Sequence, residues 1–240
     1  MTGAATGAET GAATGGPRLV LATRNVHKVT ELVRLLRPHV PGLADGDVVA
    51  VSALAGLGLP DPGEVVESGV SFAENALLKA RAIAAATGLP AVGDDSGLCV
   101  AVLGGAPGVF SARWAGRHGD DEANLRLLLA QLVDVPDHHR AAWFECAAAL
   151  VDPTPSGEVQ EGATDRVAGK AVEVVAAGRL TGVLTRRPRG HGGFGYDPVL
   201  VPDGGSRTCA ELTPAEKDAI SHRGQAMGAL APRLVDVLTR

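Results

Sequence analysis

Apolar positions along the chain fall alternately into strand-like runs and helix-like periods. Residues 18–22 form a short apolar run that predicts a first strand. Val29, Leu32, Val33 and Leu36 then stand at i, i+3, i+4 and i+7, one face of a helix, and Pro38 predicts its end. Residues 45–63 are rich in Gly, Pro and Asp around a short apolar piece at 48–51, which predicts loop, edge strand, loop. Ser71-Phe72-Ala73-Glu74 is a capping-box pattern. It opens a helix with Ala76, Leu77, Ala80, Ile83 and Ala84 on one face, closed by Gly88 and Pro90. Leu89-Pro90-Ala91-Val92 predicts a buried strand that stops at a polar loop, Gly93-Asp94-Asp95-Ser96-Gly97.

Further on, Asp120, Asp121 and Glu122 supply acids for the start of a helix that buries Leu125, Leu128, Leu129 and Leu132. Residues 141–151 read as a strand interrupted only by Glu145. Residues 171–175 and 180–185 read as two more strands, and 199–201 as a short one. Thr213-Pro214-Ala215-Glu216 is a second capping box, with Pro at the first helical position. A last helical region follows Ser221, and Pro232 is expected to kink or restart it. The alternation predicts an α/β fold over residues 18–240. Residues 1–17, almost wholly Ala, Gly and Thr, are expected to form a disordered tail without a chemical role.

The chain has 240 residues, 45% of them hydrophobic, enough for one large domain or two lobes sharing a sheet. A formal net charge of −5 provides no basic footprint, so a dedicated nucleic-acid binder is not expected, whereas nucleotides need only a few local cations. Cys99, Cys146 and Cys209 are odd in number and form no C-x-x-C pair. They suggest neither a disulfide framework nor a zinc site, but small buried hydrophobes in a reducing cytoplasm. No apolar run approaches ~18 residues, so no membrane span is expected, and the start of the chain lacks the features of a secretory signal.

Several stretches carry candidate chemistry, each with a plainer alternative. Asp94 and Asp95 together would attract a hard cation such as Mg²⁺, although Asp, Ser and Gly are also ordinary turn residues. The polar run Thr23-Arg24-Asn25-Val26-His27-Lys28 lies between a strand's end and a helix's start, where free backbone N–H groups favour anions. A capped helix with a surface lysine fits it as well. Glu67 precedes the helix that leads to Asp95, so the two acids would converge on one cation, or Glu67 is a solvated loop acid. Phe194 and Tyr196 stand in a cationic, glycine-rich loop of a chain with only 3% aromatics. An aromatic there either stacks a nucleobase or anchors the loop. His222 and Arg223 offer donors to a carbonyl or phosphate, or serve structure alone.

Five motifs occur in order: Ala22-Thr23-Arg24-Asn25-Val26-His27-Lys28, Glu67-Ser68-Gly69-Val70-Ser71-Phe72-Ala73-Glu74-Asn75, Gly93-Asp94-Asp95-Ser96-Gly97, Gly192-Gly193-Phe194-Gly195-Tyr196-Asp197-Pro198, and Glu211-Leu212-Thr213-Pro214-Ala215-Glu216-Lys217 running into Ser221-His222-Arg223-Gly224. This ordered set resembles the inosine triphosphate pyrophosphatase family, in particular its bacterial XTP/dITP diphosphatases, over roughly residues 18–238. The resemblance implies an elongated mixed sheet flanked by helices, two lobes with a central cleft, and a cytoplasmic homodimer. It implies Mg²⁺-dependent hydrolysis of deaminated purine triphosphates to the monophosphate and pyrophosphate, with no nucleic-acid or membrane partner. By resemblance, Asp95 is the catalytic acid and a metal ligand, with Glu67 as the further ligand. Residues Thr23, Arg24, Asn25, Val26, His27 and Lys28 bind phosphates. Ser96, Phe194, Gly195, Tyr196, Asp197, Lys217, His222 and Arg223 contact substrate, and Lys28 and Lys217 offset charge on the leaving group.

The chain departs from the family pattern in two places. Val66 stands where a second acid is common, which leaves Glu67 or Glu64 as the second ligand, and residues 162–177 look like an insertion that lengthens a hairpin away from the site.

Overall fold

The computed structural model describes residues 16–24, 26–154 and 171–240. Most of the expected tail, Asn25, the side chains of Val26 and His27, and much of the 162–177 stretch lie outside the described residues. Strands β1 (Leu19–Leu21), β2 (Val48–Ala50), β3 (Ala91–Val100), β4 (Ala141–Asp152), β5 (Val172–Leu184) and β6 (Leu200–Pro202) form one sheet in the order β2-β1-β3-β4-β5-β6. β1 runs parallel to β2 and β3, and the β3-β4-β5-β6 pairings are antiparallel. Helices α1 (Val26–Leu36), α2 (Phe72–Thr87), α3 (Asp121–Gln131), α4 (Pro214–Ile220) and α5 (His222–Leu238) flank it. This is the mixed, helix-flanked sheet that the motifs imply.

Successive strand residues point to opposite faces, and that alternation sorts the core. Leu19, Leu21 and Val92 pack with Leu32 and Leu36 of α1 and Leu230 and Leu234 of α5. Val20 and Ala91 face the other way, onto Ala76, Ala80 and Ile83 of α2. A third cluster lies at the far end of the long strands, where Leu98 and Val100 meet Leu128 and Leu132 of α3, Tyr196 and Leu200. The three long strands therefore carry two lobes, one at each end. Among the described residues, no helix is long and apolar enough to cross a membrane.

The structure corrects four expectations. β3 does not stop before the acids: it runs on through Asp94, Asp95, Ser96 and Gly97, with Asp94 opposite Ala148 and Asp95 opposite Ala147. Their turn-like composition yields to a ten-residue antiparallel ladder against small side chains of β4. The two strands expected at 171–175 and 180–185 are one, β5, in which residues 172–177 extend the hairpin with β4. Its central Gly178 marks a close approach rather than a break, because a Cβ there would lie 2.1 Å from the His222 carbonyl oxygen. α1 begins at Val26, so Lys28 lies in its first turn and not ahead of it. α5 continues as one helix through Pro232, whose i−4 residue, Gly228, is exposed, so the carbonyl that loses its partner faces water.

β1 ends at Leu21, opposite Val92 of β3. From Gly93 onward, no described strand pairs with β3 on that side. The gap beyond β1 lets side chains from α1 and α2 reach β3 from either face. α2 comes close because position 93 has no side chain: a Cβ there would sit 2.3 Å from the Ala76 carbonyl oxygen and 2.9 Å from the Ala80 nitrogen. Gly93→Ala is expected to push α2 off β3 and to destabilise the fold by about 1–3 kcal/mol, measured by urea unfolding. An unchanged midpoint would contradict this packing.

Candidate active site

The pleat of β3 sends Asp94 and Asp95 to opposite faces of the sheet. Asp94 points towards α1 and α5. Lys28 Nζ donates to both its oxygens, at 3.1 and 3.0 Å, and Arg223 Nε donates to Oδ2 at 3.1 Å. Only 3% of the Asp94 side chain is exposed. Burial by itself would raise its pKa, but Lys28, Arg223 and Lys79 outweigh burial and hold the carboxyl well below the usual carboxylate range. The Arg223 Nη2 also reaches Ser96 Oγ at 3.4 Å.

Asp95 points towards α2. Its Oδ2 accepts from Asn75 Nδ2 at 2.9 Å, and its Oδ1 accepts from the Ser96 backbone at 3.0 Å. Asn75 is fully buried, and its own oxygen accepts from Gly69 N at 2.8 Å. One turn along α2, Lys79 Nζ lies 2.7 Å from Glu67 Oε1 and 3.5 Å from Asp95 Oδ1, and donates to the Asp94 carbonyl oxygen at 2.7 Å. Burial raises the Asp95 pKa, Lys79 and Asn75 pull it down, and Glu67 pushes it up again; the result is a carboxyl above its ordinary value. The two adjacent carboxylates therefore point apart, each to its own set of cations. Asp95 and Glu67 are the acids that converge. Glu64 lines the same cleft without sharing that lysine. The cleft measures about 840 Å³, and Thr23, Arg24, Lys28, Lys79 and Arg113 also line it.

Across Ser96 and Arg223 lies a second cavity of about 360 Å³, walled by Phe194, Tyr196, Lys217 and His222. Phe194 is 63% exposed and lies under the Lys217 ammonium, 5.3 Å from the ring centre. Tyr196 is buried and its hydroxyl donates to the Ser111 carbonyl at 3.0 Å. Of the two readings of this loop, Tyr196 takes the anchor and Phe194 the free aromatic face. Asp197 holds the loop, accepting from Phe194 N at 2.9 Å and from Lys217 at 2.5 Å, and Asp121 of α3 accepts from Gly195 N at 2.9 Å. His222 stacks on Phe144, with ring centres 5.0 Å apart. Burial, with help from Arg223 and Lys217, pushes its pKa down to about 3, so the ring is neutral at physiological pH. Its Nδ1 is buried and has no hydrogen-bond partner.

The Ham1 family model matches residues 19–233. The chain belongs to the Ham1 family. A dITP/XTP pyrophosphatase of Streptomyces coelicolor is 55% identical over 225 residues, covering 92% of this chain and 98% of that one. Among solved structures, a nucleoside-triphosphatase / dITP/XTP pyrophosphatase from Mycobacterium abscessus superposes with a TM-score of 0.68 at 50% identity, covering 90% of this chain and 98% of that one. A HAM1 protein from Coxiella burnetii superposes at 0.73 with 37% identity, covering 92% and 99%.

Within this Ham1 chain, the motif residues gather around two spaces rather than one. Thr23, Arg24, Lys28, Glu67 and Asp94 line the cleft, while Ser96, Phe194, Gly195, Tyr196, Asp197, Lys217, His222 and Arg223 line the cavity. Lys217 thus stands with the aromatic loop and not beside Lys28. Arg24 is exposed and pairs with Asp61 at 3.2 Å. Sequence reasoning gave no chemical role to Asn75, Lys79, Arg113 or Asp121, although Asn75 closes the second motif and Asp121 stands among the acids of a helix start. Asn75 and Lys79 were findable as polar residues four apart, at the margin of an apolar helix face. Arg113 and Asp121 carry no comparable signal.

The depressed Asp94 pKa has a stability consequence. A carboxyl lowered on folding stabilises the protein above its unfolded pKa, about 3.9, and that contribution is lost as pH falls through the folded value. Asp94→Asn leaves Lys28 and Arg223 without their counter-charge. It is expected to cost about 3–5 kcal/mol near neutral pH, with the gap to wild type closing as pH drops below about 4. Urea unfolding across pH checks this; a gap that stays constant with pH would contradict it.

Proposed function

We propose that the chain hydrolyses deaminated purine nucleoside triphosphates (dITP, ITP and XTP) to the monophosphate and pyrophosphate, removing them before they enter DNA or RNA. The observation that carries this is the pair of spaces on either side of the Asp94–Arg223 ion pair: a cleft lined by acids and lysines, suited to a triphosphate, and a cavity lined by Phe194, Tyr196, His222 and Arg223, suited to a nucleobase. The names of relatives at 50–55% identity agree with it.

The donor set of the cleft fits a magnesium ion. Asp95 and Glu67 both lie against one ammonium, so their oxygens are close enough to share a cation, and Mg²⁺ is commonly held by one or two carboxylates plus substrate phosphates. Asp95 and Glu67 would hold it, and when bound it supplies charge neutralisation and Lewis acidity at the phosphate oxygens. Asp95, its second oxygen fixed by Asn75, orients a water towards the α-phosphorus and takes its proton. Its raised pKa makes it a better base than an ordinary aspartate. The new bond joins the water oxygen to the α-phosphorus, the bond to the β-phosphate bridging oxygen breaks, and pyrophosphate leaves. Lys28, Lys79 and Arg113 offset its charge, with Thr23 and Arg24 at the mouth.

In the cavity, Phe194 stacks the base, a contact worth about 1–3 kcal/mol. His222 and Arg223 provide donors for the C6 carbonyl of hypoxanthine or xanthine. Adenine presents an amino group there and leaves those donors unpaired, the kind of mismatch that separates substrates by ~10⁴ or more. We read the protein as a cytoplasmic homodimer without nucleic-acid partners. Support comes from its three buried free cysteines, its net charge of −5, and exposed apolar side chains such as Val70 and Phe110.

A panel of dITP, ITP, XTP, dATP and pyrimidine triphosphates, with phosphate and pyrophosphate detected separately, tests the reading. Pyrophosphate release from dITP, ITP and XTP and not from dATP or the pyrimidine triphosphates is expected, and release of phosphate alone would sink it. Asp95→Asn is expected to lower kcat by about 10²–10⁴ without lowering the melting temperature, because a carboxylate whose pKa rises on folding costs stability at neutral pH. Near-normal turnover would refute its role as base. His222→Phe keeps the stack on Phe144 and removes both ring nitrogens. The dITP-over-dATP ratio of kcat/KM should fall about 10-fold or more; an unchanged ratio counts against His222 as a reader of the base.

A further inference from the structure

Glu67, Asp94 and Asp95 are paired with Lys28, Lys79, Arg113 and Arg223, and Glu64 lines the cleft beside them. The acids are thus matched by cations, with no surplus of negative charge to draw in a bare dication. Lys79 Nζ lies between the two acids suited to a metal, 2.7 Å from Glu67 Oε1 and 3.5 Å from Asp95 Oδ1. Its third contact is a hydrogen bond to the Asp94 carbonyl oxygen at 2.7 Å. The other oxygens are engaged too: Asn75 donates to Asp95 Oδ2, and Arg113 faces Glu67 Oε2 at 3.6 Å. Only 17% of the Lys79 side chain is exposed, so the ammonium is not readily exchanged for water. Among the described residues, no group of three or more His, Cys, Asp and Glu is assembled to hold a metal ion.

We propose that Lys79 occupies the seat between Glu67 and Asp95 in the free enzyme, so that a divalent cation is admitted only together with a triphosphate. The inference rests on the metal-dependent hydrolysis proposed above. A bare dication entering this cluster meets acids already matched by cations and must part Lys79 from two of them. A triphosphate changes both conditions: it brings negative charge of its own, and its oxygens give the Lys79 ammonium a new partner, which releases the acids. Nucleotide and metal then raise each other's affinity, as linkage requires. The arrangement also keeps an activated site from forming before substrate is present.

Mn²⁺ serves as the probe, with free ion counted by electron paramagnetic resonance during titration of the full chain. Wild type alone is expected to bind Mn²⁺ at least about 10-fold more weakly than wild type with a non-hydrolysable α,β-methylene analogue of dITP. Lys79→Gln without nucleotide is expected to regain much of that affinity, since the ammonium between Glu67 and Asp95 is then gone. Equal binding by wild type with and without the analogue overturns the proposal, as does a folded Lys79→Gln that gains nothing. The wild-type comparison decides the matter if the variant does not fold. Hydrolysis of dITP in excess chelator, with no Mn²⁺ bound in any arm, overturns the metal-dependent reading and this inference with it; equal binding overturns the inference alone.

Discussion

The site depends on the ion triplet that Asp94 forms with Lys28 and Arg223. Asp94 is almost fully buried in the middle of β3, where an unpaired carboxylate would be prohibitively costly. The triplet removes that cost with one cation from the first turn of α1 and one from the first turn of α5. Both helices have their N-termini fixed by the same acid, and both N-termini border substrate space. Ser221 caps α5 by accepting from Gly224 N, and Gly178 gives α5 room against β5. The position of His222 and Arg223 is thus set from three sides before any ligand arrives.

The second constraint is the pleat itself. Because neighbouring strand residues point apart, Asp95 lies on the α2 face, where Asn75 and Lys79 meet it. A buried, ion-paired acid and the acid proposed as the base can stand side by side in sequence, since the sheet separates their surroundings. The short β1 makes this useful. Where β1 stops, the edge of β3 is open, and groups from the two faces reach a common cleft around it.

Much of this was legible in the chain. The helix faces, the capping boxes at Ser71 and Thr213, and the strand–polar–helix passage at residues 19–36 are local patterns, and local patterns survive folding. The motif order pointed to the right family and grouped most of the residues around the two spaces. What failed was non-local. Asp94-Asp95-Ser96-Gly97 has the composition of a turn, and only pairing with β4 makes it a strand. Gly178 resembles a strand break until α5 is seen resting on it. The opposite directions of Asp94 and Asp95 follow from strand geometry, so they could not be inferred while that stretch was taken as a loop. Lys79 carries no motif of its own, and its importance appears only when Glu67, in the loop ahead of α2, folds back onto that helix.

The two acids also show how the fold divides stability from chemistry. Asp94 has more cationic partners than its burial demands, and its ionised form favours the folded state. Asp95 has fewer, and its ionised form disfavours it. A base must be reactive, and a carboxylate satisfied by strong ion pairs would lose its affinity for a proton. Asp95 is held chiefly by neutral donors, the Asn75 amide and the Ser96 N–H, with Lys79 at the longer distance of 3.5 Å, which suits the role of base proposed for it. The orienting contacts fix its direction while leaving its basicity, and the stability given up there is recovered one residue earlier on the other face of the same strand.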